Sequence, residues 1–217
     1  MRVAVFSDVH GDLPALHAVL QAIDGHRSVH LVVAAGDHCF GGAQPAEVWD
    51  ALQAISCVCL LGNEDARIWN GRRAIGGESR WRAANDASLP WYRDVLGPAR
   101  LAAMQALPRS LRLSLAPGQD LLIVHANIHG PYGYAFNMQT SNTTLARLYG
   151  GANARVVCCG HYHQAAMREW GGMTLVNVAS VSLPVDEQPL AGYTLLDWDG
   201  TAWHVTQYRV PYNSTGA

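Results

Sequence analysis

Three short, nearly unbroken apolar runs open the chain, at residues 3–6, 29–35 and 57–61. Runs of that length suit strands buried on both faces. Between them, residues 13–23 and 45–55 carry apolar side chains at helical spacing, and Asp12 with Pro14 supplies a helix start. The order strand-helix-strand-helix-strand predicts a parallel sheet with right-handed crossovers. Residues 66–108 break that rhythm: rich in Arg, Trp and Ala, they predict an irregular helical insertion. Beyond it, residues 111–115 and 121–124 predict a hairpin across Ala116-Pro117-Gly118-Gln119. A helix over 142–149 follows, then strands over 155–159, 165–169, 174–178, 193–197 and 202–208. The turn Trp198-Asp199-Gly200-Thr201 joins the last two, and residues 211–217 read as a loose tail. With no internal repeat or linker, the expected organisation is one domain over 1–217 with an insertion at about 66–108.

Composition narrows the class. A chain of 217 residues with 49% hydrophobic and 15% charged positions has enough apolar material for one substantial core and is not a disordered segment. No stretch approaches the roughly 20 consecutive apolar residues of a membrane span. Residues 2–6 run straight into a strand with no leader pattern, so the expected location is the cytoplasm. A formal net charge of −2 argues against stable nucleic-acid binding. The basic residues are all Arg, and seven of the 15 fall between 67 and 100 beside only three acids. That segment therefore carries +4 and the remainder −6. Such a stretch is either an anion collector or a solvated helical face. Five cysteines without framework spacing predict reduced, buried thiols, and Cys57-Val58-Cys59 lacks the second pair of a zinc site. Cys39, in a loop, is expected to be exposed and oxidisable.

The chemistry-bearing residues gather where strands end. Ser7-Asp8-Val9-His10-Gly11 follows the first strand, Gly36-Asp37-His38 the second and Gly62-Asn63-Glu64-Asp65 the third. Later strands deliver Val124-His125-Ala126 and Gly160-His161-Tyr162-His163. Ligands collect at the carboxyl ends of strands in open α/β sheets. Each residue alone has an ordinary explanation, as a cap, a turn former or a satisfied core histidine. Together they recur at one kind of position, where burial is costly unless a partner or a metal compensates. In Asp8-x-His10 and His161-x-His163, an extended backbone would point both side chains to one side. His17, His26, His30, His129 and His204 have no informative spacing and read as structural.

The five-part order Asp-x-His, Gly-Asp, Gly-Asn-x-Asp, His, Gly-His-x-His resembles the calcineurin-like metallophosphoesterase superfamily. The resemblance spans residues 8–163, and Gly36-Asp37-His38-Cys39-Phe40-Gly41-Gly42 is similar to its small bacterial phosphodiesterase and diadenosine tetraphosphatase-like branch. It implies an α/β (α+β) fold: a four-layer α-β-β-α sandwich, two mixed sheets flanked by helices, with a helical lid insertion. It also implies two divalent transition metals. Asp8, His10 and His163 would hold one, Asn63, His125 and His161 the other, and Asp37 would bridge them. Such a donor set suits Mn, Fe or Zn without choosing among them. The implied reaction is hydrolysis of a phosphodiester, phosphoanhydride or phosphomonoester by a hydroxide bridging the two ions. The substrate would be a small phosphorylated compound, with a nucleotide as one candidate.

One departure stands out: the family usually has His where this chain has Glu64, and that His is thought to assist the leaving group. Glu64 is then a protonated general acid, which needs burial or nearby negative charge, or is replaced in that role by His38 or an arginine of the insertion, or leaving-group assistance is absent and good leaving groups are needed. Arg67, Arg72 and Arg73 are the candidates to bind non-reacting phosphates, with Trp69, Trp81 or Trp91 either stacking on a base or packing within the lid. A metal-binding scaffold that recognises a protein partner and a serine/threonine phosphatase are the competing readings.

Overall fold

The outward and inward alternation of the apolar runs is what assembles the molecule. The computed structural model describes residues 1–71, 80–185 and 190–213, the side chains of 80–85 excepted. Strands β1 (Arg2–Phe6), β2 (Leu31–Ala34) and β3 (Val58–Cys59) alternate with helices α1 (Leu13–Asp24) and α2 (Pro45–Ala54). Helices α3 (Asn63–Asn70) and α4 (Arg80–Gln105) come next, then β4 (Ser110–Leu113), β5 (Leu121–Val124) and α5 (Asn142–Tyr149). The chain ends in β6 (Val156–Cys159), β7 (Ala165–Trp170), β8 (Met173–Val178), β9 (Leu190–Trp198) and β10 (Trp203–Pro211).

Two five-stranded mixed sheets form, in the orders β10-β9-β1-β2-β3 and β4-β5-β6-β8-β7. The expected parallel pairing of the first three strands is present, with Val3 opposite Leu31 and Val33 opposite Val58. So are the β4–β5 and β9–β10 hairpins. Val3, Val5 and Val33 of the first sheet meet Leu121, Ile123, Val156 and Cys158 of the second in one buried layer. The alternate residues face outward: Ala4, Phe6 and Ala34 lie under Leu16, Val19 and Leu52 of α1 and α2. Leu122, Val124 and Val157 lie under Leu145, Leu148 and Tyr149 of α5. Strands covered on both faces explain why these runs read as continuous rather than alternating. The expected layering, two mixed sheets flanked by helices, is what the chain adopts.

Helix α1 starts as its sequence predicts: Asp12 Oδ1 accepts from Ala15 N at 3.0 Å, and Pro14 sits in the first turn. The segment at 66–108 differs in detail. Its first helix begins three residues early, on Asn63 itself, and α4 bends at Gly97 (φ 68°) beside Pro98. Ile68, Leu89, Tyr92, Leu96 and Met104 close over Cys39, Phe40 and Trp49. Cys39 is thereby fully buried rather than exposed, and burial pushes its thiol well above the ordinary range. All five cysteines are buried and unbridged. No helix among the described residues is long and apolar enough to cross a membrane.

Candidate metal centre

The loops after β1 and β2 are zipped together by backbone hydrogen bonds. Asp8 N donates to Gly36 O, His10 N to Asp37 O and Gly11 N to His38 O, at 2.9–3.0 Å. These bonds hold a backbone that sequence spacing misjudged. Asp8, His10, Asp37, His161 and His163 all adopt positive φ, between 51° and 71°. The expectation that the two x-separated pairs project from extended segments is therefore corrected: left-handed turns, not strand alternation, bring their side chains together. Such conformations cost about 1–3 kcal/mol each and persist only where the surroundings enforce them. Two glycines permit the close approach. A Cβ on Gly62 would overlap the backbone nitrogen and Oδ1 of Asp37, and one on Gly160 would lie 2.6 Å from Asp8 Oδ2.

Two groups of ligand-type side chains result: Asp8, His10 and His163, and Asp37, His125 and His161. Within each, one donor atom per residue lies within 4.8 Å of the others. Asn63 joins the second group, its Oδ1 3.0 Å from His125 Nε2. Every imidazole has one nitrogen committed elsewhere. His10 Nδ1 donates to Phe40 O at 2.6 Å, His125 Nδ1 to Ala35 O at 2.8 Å and His163 Nδ1 to Leu183 O at 2.9 Å. His161 uses Nε2 instead, toward Gly133 O at 2.9 Å. A carbonyl can only accept, so each outer nitrogen carries a proton and the inner nitrogen is the one aimed at the other ligand atoms. The inner nitrogens crowd together: His10 Nε2 and His163 Nε2 are 3.1 Å apart, and His161 Nδ1 and His125 Nε2 3.3 Å apart. Asp8 Oδ1, fully buried, has no hydrogen-bond partner, and the nearest imidazole nitrogen is His163 Nε2 at 3.4 Å. Converging nitrogens beside an unpartnered carboxylate oxygen are the donor set of a cation, so these residues fit the implied metals.

Electrostatics agree. Burial works against charge on His125, yet Asp37, 3.3 Å away, overrides it and lifts the imidazole to about 10. His163 rises to about 9, burial again being outweighed by Asp8. His161 goes the other way, to about 4, through burial and the charge of His125. Asp8 falls to about 2 and Asp37 lower still, because the imidazoles outweigh desolvation. Asp37 interacts with His10 of one group as well as His125 and His161 of the other.

Positioning residues complete the centre, and two escaped the sequence reading. Asp65 Oδ2 accepts from Asp37 N at 2.9 Å and Gly62 N at 3.2 Å, while Oδ1 accepts from His38 N at 2.8 Å. Its signal was present in Gly-Asn-x-Asp: an acidic residue in the first turn of α3. Asn177 Nδ2 donates to Gly160 O at 3.0 Å and Phe136 O at 2.9 Å, tying down the loop of His161. Nothing local in β8 marks that role.

Other expectations need revision. His38 is fully buried, edge-on to Trp49, with Nε2 donating to Leu60 O at 2.9 Å. It faces the interior beside Asp65 rather than the converging ligands, which removes it as a proton source. Arg67 is also buried, donating from Nη1 to Glu64 at 2.9 Å and from Nη2 to Asp86 at 2.5 Å. A guanidinium so engaged is not offered to phosphate. Arg93 donates to Ile68 O, and Arg100 makes a two-point pair with Asp50 at 2.8 and 2.7 Å. Arg72, Arg73 and the side chains of Arg80, Trp81 and Arg82 lie outside the described residues. Trp69 packs into the insertion's core, whereas Trp91 is exposed against Tyr92. Glu64 has its carboxyl raised by burial first and Asp37 second, with Arg67 opposing.

Residues 1–201 match the calcineurin-like phosphoesterase superfamily domain. An uncharacterized protein of Methanocaldococcus jannaschii is 25% identical over 190 residues, covering 87% of this chain and 73% of that protein. The crystal structure of a metallophosphoesterase from Sphaerobacter thermophilus superposes with a TM-score of 0.74 at 22% identity, over 98% of this chain and 90% of that one. An archaeal phosphodiesterase does so at 0.53 and 14% identity, over 96% and 100%. At those identities the two structures speak for the fold alone.

Proposed function

This chain belongs to the calcineurin-like phosphoesterase superfamily and is a metal-dependent hydrolase, and from that premise we propose that it hydrolyses a small phosphodiester or phosphoanhydride at a two-metal centre. The observation that carries the proposal is the set of four imidazoles, each with its outer nitrogen bound to a backbone carbonyl and its inner one turned toward Asp8 or Asp37. Asp8, His10 and His163 would hold one ion, Asn63, His125 and His161 the second, with Asp37 between them. Mixed carboxylate, imidazole and amide oxygen donors suit Mn, Fe or Zn. When bound, the pair would supply positive charge for the phosphoryl oxygens and promote ionisation of water near neutral pH.

The remaining work falls to the protein's own groups. Glu64 N donates to Asp37 Oδ1 at 2.8 Å, leaving Oδ2 toward His125, so the carboxylate's two oxygens are held apart in direction. His161 N donates to Asp8 Oδ2 at 2.9 Å, which turns Oδ1 to His163 and His10. The outer carbonyls keep each imidazole in the ligating tautomer. A diester is the substrate class carried into the test, with a nucleotide as one member of it; an archaeal phosphodiesterase shares the fold. Arg72 and Arg73 are retained as phosphate-binding candidates from sequence alone, expressed as a higher KM in the Arg72→Gln/Arg73→Gln variant. Five buried free thiols suit a reducing compartment such as the cytoplasm.

Metal analysis of purified protein, joined to a screen of bis-aryl phosphate, aryl phosphate and dinucleoside polyphosphates in Mn²⁺, tests the proposal. Two metal equivalents per chain and turnover of a diester or anhydride are expected. A folded protein that takes up no divalent metal, or that binds two and hydrolyses none of these, refutes it.

A further inference from the structure

The carboxylate of Glu64 faces two partners at once. Oε1 accepts from Asn63 Nδ2 at 2.9 Å, and Oε2 accepts from Arg67 Nη1 at 2.9 Å. Arg67 reaches on to Asp86 in α4 and rests its guanidinium 4.9 Å from the centre of the Phe40 ring. The carbonyl of Phe40 is the acceptor that fixes His10. A partly buried ionic chain thus runs from α4 to the amide of Asn63, and passes beside the loop that orients His10 in the other group.

An amide is nearly symmetric in shape, and only its hydrogen-bond partners decide which end carries oxygen. A cation requires the oxygen. A carboxylate accepts and cannot donate when ionised, so Glu64 takes the NH₂ end of Asn63 and leaves Oδ1 facing His125 Nε2. Arg67 has the complementary task. It holds the second oxygen of Glu64 and keeps the side chain turned to Arg67 and Asn63, where a loose carboxylate would compete for metal or repel phosphate. Both Glu64 oxygens accept from these neighbours, so the group is engaged by Asn63 and Arg67 rather than offered to a leaving group. We infer that Glu64 is a positioning residue, which sets the Asn63 amide with its oxygen toward the metal group. Arg67 and Asp86 brace it, so that metal affinity there is coupled to the docking of α4. The inference rests on the two-metal reading.

Calorimetric titration with Mn²⁺, alongside kcat at saturating Mn²⁺, compares wild type with Glu64→Ala, Glu64→Gln and Arg67→Met. Wild type is expected to take up two equivalents. Glu64→Ala weakens one of them by about 10–100-fold, the usual effect of losing an outer partner of a ligand, and leaves the other near its wild-type affinity. Added Mn²⁺ then restores kcat. Glu64→Gln, whose own amide can flip, and Arg67→Met weaken the same site to a smaller degree. In an Asn63→Asp background both ends of residue 63 are oxygen, so Glu64→Ala should no longer weaken that site; a merely structural role would persist there. Affinities for both ions unchanged from wild type in folded Glu64→Ala overturn the inference, whether or not kcat at saturating Mn²⁺ falls. A wild type unable to bind two ions removes the two-metal reading itself, and this inference with it.

Discussion

Buried polar groups behave in opposite ways in two regions of this molecule. In the loops at 8–10, 36–37, 125 and 161–163, ligand-type atoms face one another: imidazole nitrogens 3.1 and 3.3 Å apart, and a carboxylate oxygen with no hydrogen-bond partner. In the helical segment from Asn63 onward, the described buried charges are already answered. Arg67 lies between Glu64 and Asp86, and the neighbouring arginines bind a carbonyl and Asp50. Both regions are rich in charge by sequence. Among the described residues, only the first gathers imidazole nitrogens around two buried carboxylates, and that convergence, rather than a lone unpartnered atom such as Arg67 Nε in the second, marks a site that an external cation finishes.

The largest expected effect lies in the first region. Asp37→Asn removes the charge shared between the groups, and kcat/KM toward a bis-aryl phosphate should fall about 10³-fold, the scale of several kcal/mol of transition-state stabilisation. Unchanged turnover with both metals retained would erase the distinction between the regions. Next comes pH. His163 near 9 and His125 near 10 are both protonated at neutrality without metal, so a cation must displace their protons. Mn²⁺ affinity should therefore rise with pH and level off above these values, changing by about tenfold per pH unit for each ion below them, one proton being displaced per ion. Titrations in buffers of different ionisation enthalpy would detect the released protons. For the metal-free protein the sign reverses. Both imidazoles have raised values, so their contribution to stability is complete below their unfolded value of about 6.5 and is lost as pH climbs through 9 and 10. The smallest effects separate two arginines of the second region. Arg67→Met removes the cation shared by two partly buried carboxylates and should cost on the order of 3 kcal/mol, read as a lower Tm. Arg100→Ala, at an exposed pair, should leave Tm and kcat where they were.

The contrast also explains which expectations survived. Asp8, Asp37, Asn63 and His125 directly follow apolar runs, or lie within a few residues of their ends, and their convergence could be anticipated because a doubly covered strand must release its next polar residue at the rim. Arg67 and His38 misled for the converse reason. Each is followed or preceded by motif residues, yet its direction depends on what packs against it: Asp86 from α4 for one, Leu60 and Trp49 for the other. Cys39 was misjudged in the same way, because the cover supplied by α3 and α4 has no local signature.

The sequence by itself determined the order of elements, the two-sided burial of the strands and the identity of the polar residues at their ends. These follow from periodicity and from the cost of burying charge, which act over a few neighbouring residues. The tertiary structure alone decided the left-handed turns at Asp8, His10, Asp37, His161 and His163, the carbonyl that claims each imidazole, and the bracing of Asn63 by Glu64 and Arg67. Each of the first two depends on atoms far apart in the chain, as His125 on Ala35 and His161 on Asp8, that meet only once both sheets have closed.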